Sequence, residues 1–286
     1  MADLKRMAAL IQSWRDLMSS YLSGMKVLVT GASDGIGAEL AVTLTQNGAS
    51  SLILAGRDKS RLEETARRCG IPCRLVTGDL STPEGVDDLL AEVADEEIDG
   101  LVNNAGVGLG GRFENLPLVD QDRMIYLNCQ APVRLSHNLL QPMKQRQRGF
   151  VLFVGSLIGY AGGPGMAAYS GTKGFVNRFA ESLGWELADQ PIRILLLAPG
   201  VTQTSFFKAA GISEDQIRSG QMSPEAVARE AIHGLLKDRG TVVAGWRNRL
   251  LLFLVRFAPR WLVGLISRKI FSQILSDENQ AEEKKV

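Results

Sequence analysis

The chain has 286 residues, a net charge of +1 at neutral pH and 45% hydrophobic residues. This length favours one α/β domain with extensions over two domains, and the near-neutral charge provides no general attraction for nucleic acid. Three cysteines and two histidines are too few for a convincing metal site, and so few cysteines fit a reducing compartment. The chain shows neither a clear secretory signal nor an uncharged apolar run of about 18 residues, so a cytoplasmic protein is expected.

Residues 1–23 are predicted to form an amphipathic helix ahead of the first strand. Apolar side chains recur there at three- and four-residue spacing, which places them on one helical face. They are Leu4, Met7, Ile11, Trp14, Met18 and Tyr21.

A glycine-rich loop follows the first apolar run. Residues 25–29 are typical of a buried parallel strand, residues 30–37 contain three glycines, and residues 38–44 are predicted to be helical. Glycines let a pyrophosphate approach the backbone, and the helix N-terminus then faces the phosphates. An ordinary turn is the alternative, but a strand before the loop and a helix after it favour nucleotide binding.

Apolar strand-like runs alternate with helix-like segments across residues 24–245. Such alternation predicts an α/β domain with a doubly wound, mostly parallel seven-stranded sheet and helices on both faces. The strands are predicted at 26–30, 51–55, 73–77, 99–103, 150–155, 192–197 and 241–244. The helices are predicted at 35–47, 58–69, 83–94, 119–147, 167–189 and 224–237.

Chemically distinctive residues stand at the carboxyl ends of these strands. In open parallel sheets, ligands bind at that edge, where the strand order reverses. We therefore expect one site to gather Gly31, Gly56, Arg57, Asp79, Asn103, Ser156, Pro199 and Gly200.

Tyr169 and Lys173 are four residues apart on a predicted helix, and Ser156 ends a strand thirteen residues earlier. Hydride addition to a ketone creates an alkoxide, which Tyr169 can protonate. Moving a tyrosine pKa from about 10 to near 7 requires roughly 4 kcal/mol favouring the phenolate, and Lys173 lies within reach to supply the charge. The Ser156 hydroxyl can stabilise the developing charge. The alternatives are a surface Tyr and Lys pair and a serine that caps a turn.

Asn128 stands inside the predicted helix 119–147. Asparagine is unfavourable there because its side chain competes for backbone hydrogen bonds, so we expect a local break. A break would leave room for a water between Asn128 and Lys173; a helix irregularity without a catalytic role is the alternative.

Together these features resemble the compact branch of the short-chain dehydrogenase/reductase family, over residues 24–245. The glycine spacing differs from that of the extended branch, and the Tyr-x3-Lys spacing differs from that of the branch's enoyl reductases. The resemblance rests on Thr30-Gly31-x3-Gly35-x-Gly37, Asn103-Asn104-Ala105-Gly106, Asn128, Ser156, Tyr169-x3-Lys173 and Pro199-Gly200.

The resemblance implies a Rossmann-like fold, a catalytic set of Asn128, Ser156, Tyr169 and Lys173, and no metal. It implies a proton relay through Asn128 and binding of the nicotinamide ribose by Lys173. The implied cofactor contacts are Gly31, Ser33, Asp34, Gly35, Ile36, Gly37, Arg57, Asp79, Leu80, Asn103, Ala105, Gly106, Tyr169, Lys173, Pro199, Gly200, Thr202 and Thr204.

The end of the second strand favours NADP(H) over NAD(H). NAD binders place an acid at this position for the adenosine ribose hydroxyls, but here Gly56 is followed by Arg57. A guanidinium can pair with a 2′-phosphate, and Ser33 can add a hydroxyl donor. Asp58 argues against NADP(H), because it would take the place of the acidic ribose ligand if the strand ended at a different residue.

We therefore predict an NADPH-dependent carbonyl reductase or alcohol dehydrogenase that acts on a lipophilic ketone. Phe206, Phe207 and the apolar C-terminal segment indicate such a substrate, and 3-oxoacyl thioesters, sterol-like ketones and long-chain ketones all remain open. The alternatives are an NAD-dependent alcohol dehydrogenase working oxidatively and a non-enzymatic nucleotide-binding scaffold. A homodimer or homotetramer is expected.

Residues 246–276 form a basic, apolar extension with two tryptophans, which is typical of a helix at a membrane interface. Pro259 is expected to break any helix. We expect either contact with an anionic membrane surface, as a peripheral protein, or packing over the substrate cleft or another subunit. Residues 277–286 are predicted to be a disordered polar tail.

Overall fold

The computed structural model describes residues 21–212 and 221–271. Except for Tyr21, Leu22 and Ser23, the predicted N-terminal extension lies outside the described residues. The predicted tail 277–286 and the end of the C-terminal extension also lie outside them. The domain boundaries drawn from the sequence stay predictions.

The described strands form one all-parallel sheet of seven strands in the order β3-β2-β1-β4-β5-β6-β7. This confirms the predicted fold class. The strand bounds are β1 Lys26–Thr30, β2 Ser51–Gly56, β3 Cys73–Thr77, β4 Gly100–Asn103, β5 Gly149–Val154, β6 Ile192–Ala198 and β7 Thr241–Val243.

Helices connect the strands and cover both faces of the sheet. The bounds are α1 Gly35–Gln46, α2 Lys59–Cys69, α3 Pro83–Glu92, α4 Leu118–Ile125, α5 Ala131–Gln145, α6 Ala167–Glu186, α7 Pro224–Leu236, α8 Trp246–Phe257 and α9 Arg260–Ile270. The helix predicted over 119–147 is interrupted, as expected at Asn128, by a π-helical turn at Tyr126–Gln130, which separates α4 from α5.

The core lies on both sides of the sheet. Along β1, Val27 and Val29 belong to one buried cluster and Leu28 belongs to the cluster on the opposite face. Adjacent β2 repeats the alternation, with Leu52 and Leu54 on the first side. Because both faces are covered, the polar groups that can reach a ligand are confined to the edges of the sheet.

The strand order reverses between β1 and β4, which are neighbours although β2 and β3 come between them in the chain. The crevice at the carboxyl ends of these two strands is the site expected for a ligand. After β7, α8 and α9 form a helix pair that starts at the same edge, with Pro259 between them. In the part of the chain that the structure describes, no helix has the length and apolarity needed to cross a membrane.

Candidate active site

The glycine loop has the geometry of a phosphate-binding turn. Gly31 and Gly35 adopt φ of +64° and +57°, a left-handed region that favours glycine. Asp34 caps α1 and accepts a hydrogen bond from the Gly35 amide at 2.7 Å. Ile36 packs against the core. The N-terminus of α1 is therefore held at the sheet edge with its remaining amides directed at the crevice.

Asn104 ties this loop to the end of β4, a role that the sequence did not reveal. Its Nδ2 donates to the carbonyl oxygens of Thr30 and Gly31, both at 3.0 Å. A Cβ at Gly31 would lie 2.8 Å from that Nδ2, and a Cβ at Gly37 would lie 2.3 Å from it. These two glycines therefore make room for an internal side chain as well as for a ligand.

Ser156 is fixed at the end of β5 by contacts to its backbone. Its Oγ accepts a hydrogen bond from the Ile158 amide at 3.3 Å, so the serine does cap a short 3-10 turn, which was the alternative interpretation. The hydroxyl also hydrogen-bonds to Tyr169, which lowers the pKa of the phenol. Capping and contact with Tyr169 therefore occur together.

Asn177 also holds the backbone of Ser156 in place, and sequence reasoning missed this asparagine. Its Nδ2 donates to the Ser156 carbonyl at 3.0 Å, and its Oδ1 accepts from the Ser156 amide at 3.3 Å. The side chain is 1% exposed and lies between Gly155 and Gly159, where an added Cβ would approach it to 2.1 and 2.5 Å. In the sequence Asn177 is only an asparagine eight residues after Tyr169 on the predicted helix, and this position does not indicate its role.

Tyr169 is buried on α6 beside Ser156. Burial is the largest influence on its pKa and raises it, while the hydrogen bond with Ser156 lowers it less. This differs from the expectation that the protein would lower the pKa toward neutrality. Because the phenol is protonated at neutral pH, it is in the state that a proton donor requires.

Lys173 lies one helical turn further along α6, with its Nζ 5.9 Å from the centre of the Tyr169 ring. The ammonium donates a 2.8 Å hydrogen bond to the Val154 carbonyl at the end of β5. Burial lowers the pKa of Lys173 to about 8, so the side chain is mostly cationic at pH 7. It thus supplies positive charge beside the tyrosine.

Asn128 lies in the π-helical turn, where the sequence led us to expect a break. Its Oδ1 accepts from the Val107 amide at 3.0 Å, and its Nδ2 donates to the Val107 carbonyl at 2.9 Å and to Thr172 Oγ1 at 3.0 Å. A Cβ on Gly106 would lie 3.1 Å from Asn128 Oδ1 and 3.6 Å from Lys173 Nζ. The two side chains therefore border one small space.

Arg57 follows the last residue of β2 and is exposed. A Cβ on Gly56 would lie 3.4 Å from Ser33 Oγ, so the serine is close to this strand end. Asp58 instead caps α2, because its Oδ1 accepts from the Arg61 amide at 3.1 Å. The cap commits Asp58 to the helix and leaves Arg57 and Ser33 as the polar groups at this corner.

Asp79 and Leu80 line a cavity beside the carboxyl ends of β2 and β3. The Asp79 carboxylate accepts a hydrogen bond from the Ser81 amide at 3.0 Å. Burial raises the pKa of Asp79, but the hydrogen bonds from Ser81 and the charges of Arg57 and Arg123 outweigh burial and hold it below its usual value. The carboxylate is ionised and available as an acceptor in the cavity.

Asn103, Ala105 and Gly106 form the end of β4 and the turn that follows. The Ala105 amide donates to Thr30 Oγ1 at 3.1 Å, which adds a second tie to β1. Asn103 Nδ2 donates to Ser136 Oγ at 3.1 Å, while its buried Oδ1 has no hydrogen-bond partner among the described residues. The unpaired oxygen is an acceptor at the switch point.

The segment after β6 closes the other side of the crevice. The Pro199 carbonyl accepts from the Leu157 amide at 3.0 Å, which joins this segment to the Ser156 turn. Buried Thr202 donates to the Gly200 carbonyl at 3.2 Å. Thr204 lies against the glycine loop, since a Cβ on Gly35 would meet its Cγ2 at 2.9 Å.

An apolar cluster packs around Tyr169. The Phe206 ring is 5.3 Å from the Tyr169 ring, centre to centre, and Phe207 packs against Phe206 at the same separation. Phe271, just after α9, packs against this cluster. The other members include Met124, Met166, Leu109, Ile158 and Ile212.

These residues fit a dinucleotide that lies across the carboxyl edge of the sheet. The glycine loop suits a pyrophosphate, Arg57 and Ser33 suit a charged ribose substituent, and the cavity beside Asp79 suits a base. The unpaired Asn103 oxygen suits a further donor. Lys173 and Tyr169 lie at the end of this edge that is far from the cavity beside Asp79, next to the apolar cluster.

Residues 25–215 match the protein family described as short chain dehydrogenase. An uncharacterised short-chain type dehydrogenase/reductase of Sinorhizobium fredii is 36% identical over 211 residues, covering 73% of this chain and 83% of that protein. The NADP-dependent 3-hydroxy acid dehydrogenase of Schizosaccharomyces pombe is 32% identical over 240 residues, covering 79% and 92%.

Among solved structures, a short-chain dehydrogenase from Sphingobium yanoikuyae in complex with NADPH matches with a TM-score of 0.73 and 27% identity. The match covers 82% of this chain and 97% of that one.

Proposed function

Since the chain belongs to the short-chain dehydrogenase/reductase family, we propose that it is an NADPH-dependent reductase of lipophilic ketones or aldehydes. As a member of that family it is an NAD(P)-dependent oxidoreductase acting on CH–OH and C=O groups. The observation that carries the finer proposal is the convergence of Ser156, Tyr169 and Lys173 beside an apolar cluster at the carboxyl edge of the sheet.

The protein's own groups supply binding, orientation and the proton. Bound NADPH supplies the hydride that adds to the carbonyl carbon. The Ser156 and Tyr169 hydroxyls hold the carbonyl oxygen, and Tyr169 transfers its proton to that oxygen as the alcohol forms. Lys173 stabilises the resulting phenolate, and the small space between Asn128 and Lys173 is where we place the water that returns a proton.

Selection of NADPH is proposed to lie at the end of β2. Arg57 and Ser33 are present at that corner, and the carboxylate of Asp58 is engaged in capping α2. A planar guanidinium suits a 2′-phosphate, whereas an NAD site would require a free carboxylate there. The NADP-dependent yeast relative and the NADPH-bound structure support the same choice.

The substrate is proposed to be lipophilic because Tyr169 is surrounded by aromatic and aliphatic side chains. The Phe206 ring packs against the phenol at a tilt of 46°, and Phe271, just after α9, packs against the same cluster. Burial of apolar surface contributes about 25 cal/mol per Å² to binding such a substrate.

Homo-oligomeric assembly, expected for the family, is retained as part of this proposal.

The test is oxidation of NADPH by the full-length protein across a panel of ketones of rising chain length, with NADH in parallel. We expect turnover with NADPH, and kcat/KM rising with the apolar length of the ketone. Turnover with short polar ketones alone would refute the substrate class. Faster alcohol oxidation with NAD than ketone reduction with NADPH would favour the oxidative alternative, and tight NADPH binding without any turnover would favour the scaffold.

A further inference from the structure

The helix α8 turns an apolar stripe away from the protein. Trp246, Leu250, Phe253 and Phe257 recur at intervals of four, three and four residues, so they share one helical face. Their side chains are 66%, 51%, 59% and 71% exposed. The opposite face of the helix, with Leu252, is the half-buried one.

Exposed apolar surface in this protein is concentrated in the helix pair α8 and α9. Ten of the sixteen exposed large apolar side chains among the described residues lie in it. An exposed apolar patch of this kind marks an interaction surface. Those on α9 are Trp261, Leu265, Ile266 and Ile270.

The charged side chains of the helix pair α8 and α9 are all positive. Six cations and no acids occur between residues 246 and 271. Arg249 lies 3.9 Å from Glu230, which is outside the helix pair, so part of one charge is neutralised. On α8, Arg256 and Arg249 flank one side of the outward stripe and Arg247 flanks the other.

We propose that the outward face of α8 and α9 docks on an anionic lipid bilayer, with its aromatic and aliphatic side chains inserted between headgroups. An apolar stripe flanked by cations and carrying tryptophans is the pattern of an interfacial helix. The cations complement anionic headgroups, and each one near such a surface strengthens binding by up to about fivefold.

A second copy of the chain is a poorer occupant of this face. A two-fold dimer would bring the same patch of both subunits together, and so would oppose the cations of one subunit to those of the other. Like charges in an interface oppose association. A lipid surface supplies both the negative charge and the apolar layer that the patch lacks.

The inner side of the helix pair contacts the active site, which fixes how the bilayer would lie. Asn248 on α8 packs so closely over Gly200 that a Cβ there would meet it at 2.6 Å, and Phe271 packs against the apolar cluster around Tyr169. Docking therefore places this apolar cluster next to the lipid. The sequence led us to expect either membrane contact or packing over the cleft or another subunit. Packing over the cleft concerns the inner face of the helix pair, whereas the proposed membrane contact concerns its outer face.

The experiment is co-sedimentation of the full-length protein with phosphatidylcholine vesicles, with and without phosphatidylglycerol, at low and high salt. We expect binding to the anionic vesicles at low salt, loss of binding at high salt, and a blue shift of tryptophan emission. Reversal of two charges, Arg256→Glu with Arg260→Glu, should weaken binding at least about tenfold. Circular dichroism and NADPH affinity verify that each variant is folded.

Two further variants separate this surface from general charge and from self-association. Lys237→Glu with Arg239→Glu makes the same charge change outside the helix pair and should leave vesicle binding within about twofold. Phe253→Ser with Phe257→Ser keeps the charge but should weaken binding at least about tenfold, because the inserted rings are lost.

Three results would overturn the proposal. One is a parent protein that ignores anionic vesicles at low salt. Another is a control that loses as much binding as Arg256→Glu with Arg260→Glu. The third is a parent assembly that falls apart in vesicle-free buffer when Phe253 and Phe257 become serine, since a second copy would then cover the face.

Discussion

The carboxyl edge of the sheet holds its polar side chains by hydrogen bonds, whereas the C-terminal helix pair leaves large apolar side chains exposed. At the sheet edge, Asn104, Asn128 and Asn177 each make two or more hydrogen bonds to the backbone of another segment. In the helix pair, large side chains such as Phe253 and Phe257 contact each other and remain exposed. The sheet edge holds the side chains of the proposed active site in position. The helix pair instead leaves its apolar side chains accessible to a binding partner.

The largest expected effect tests the fixed region. Tyr169→Phe removes only the phenolic hydroxyl, so ketone reduction should fall at least about a thousandfold while the NADPH Kd stays within about twofold. Steady-state kinetics and a fluorescence titration measure both. The matched control is Tyr160→Phe, whose hydroxyl contacts Glu181 outside the proposed machinery. Near-normal reduction by Tyr169→Phe would refute the mechanism.

A smaller effect is expected at the corner where β2 ends. Arg57→Ala should weaken NADPH more than NADH by roughly 1.5–3 kcal/mol, because NADPH alone presents a 2′-phosphate to the guanidinium. Binding titrations with both cofactors give the ratio. Arg67→Ala is the control, since Arg67 is exposed on α2 and donates to the Glu63 carbonyl of the same helix. Equal weakening of both cofactors by Arg57→Ala would show that Arg57 does not discriminate.

Asn177 tests whether the hydrogen bonds behind Ser156 matter for the reaction. Asn177→Leu should lower kcat on the order of tenfold and leave the NADPH Kd unchanged, because the serine loses its anchor while the nucleotide loop keeps its own. Asn138→Leu, an exposed asparagine on α5, should change neither value. If the Asn177 variant loses cofactor affinity as much as kcat, its role is general stability rather than positioning.

Lys173 gives the fixed region a pH signature. Burial lowers the pKa of Lys173 to about 8 in the folded state, against 10.5 for an unperturbed lysine. Between these values the unfolded chain binds more protons, so this group makes the folded state more stable as pH rises from 8 toward 10. Compared with Lys173→Met, the parent's free energy of unfolding should rise by about 1 kcal/mol or more in urea melts over that range. Parallel pH profiles would contradict the lowered pKa.

The smallest effect belongs to the helix pair. Phe253→Ser with Phe257→Ser should change the free energy of unfolding by no more than about 0.5 kcal/mol, because both side chains are exposed. Phe153→Ser, at a fully buried position, should cost more than about 3 kcal/mol. Thermal melts compare the two. A similar loss in both would mean that the outward stripe is covered in solution, and the contrast between the regions would fail.

Most of the sheet could be predicted from the sequence because its strands are short apolar runs placed regularly between helical segments. Strand β1, for example, begins and ends where the apolar run predicts. The helix predicted over 119–147 is interrupted by a π turn, which the apolar periodicity does not reveal because it is nearly the same on both sides of the turn. Only the asparagine at 128 indicated that the helix would be interrupted.

The proposed catalytic set was accessible to sequence reasoning because its residues have distinctive chemistry at fixed spacing. The residues that hold that set in place were not. Asn177 and Asn104 are ordinary polar residues whose partners are backbone atoms far away in the chain. Long-range contacts to the backbone leave no pattern in a single sequence. Likewise, the periodicity of α8 shows that an apolar stripe exists but not that it faces outward.

The contact between Asn104 and the glycine loop has a consequence for variation among related proteins. A methyl group at Gly37 would lie 2.3 Å from both Asn104 Nδ2 and the Gly31 carbonyl oxygen. Alanine at 37 therefore collides with the protein itself, whether or not a nucleotide ever binds. Because the Gly31 carbonyl belongs to the backbone, a family member that has lost its cofactor should still keep this glycine, even where the asparagine has changed. The glycine by itself is then a sign of folding rather than of activity.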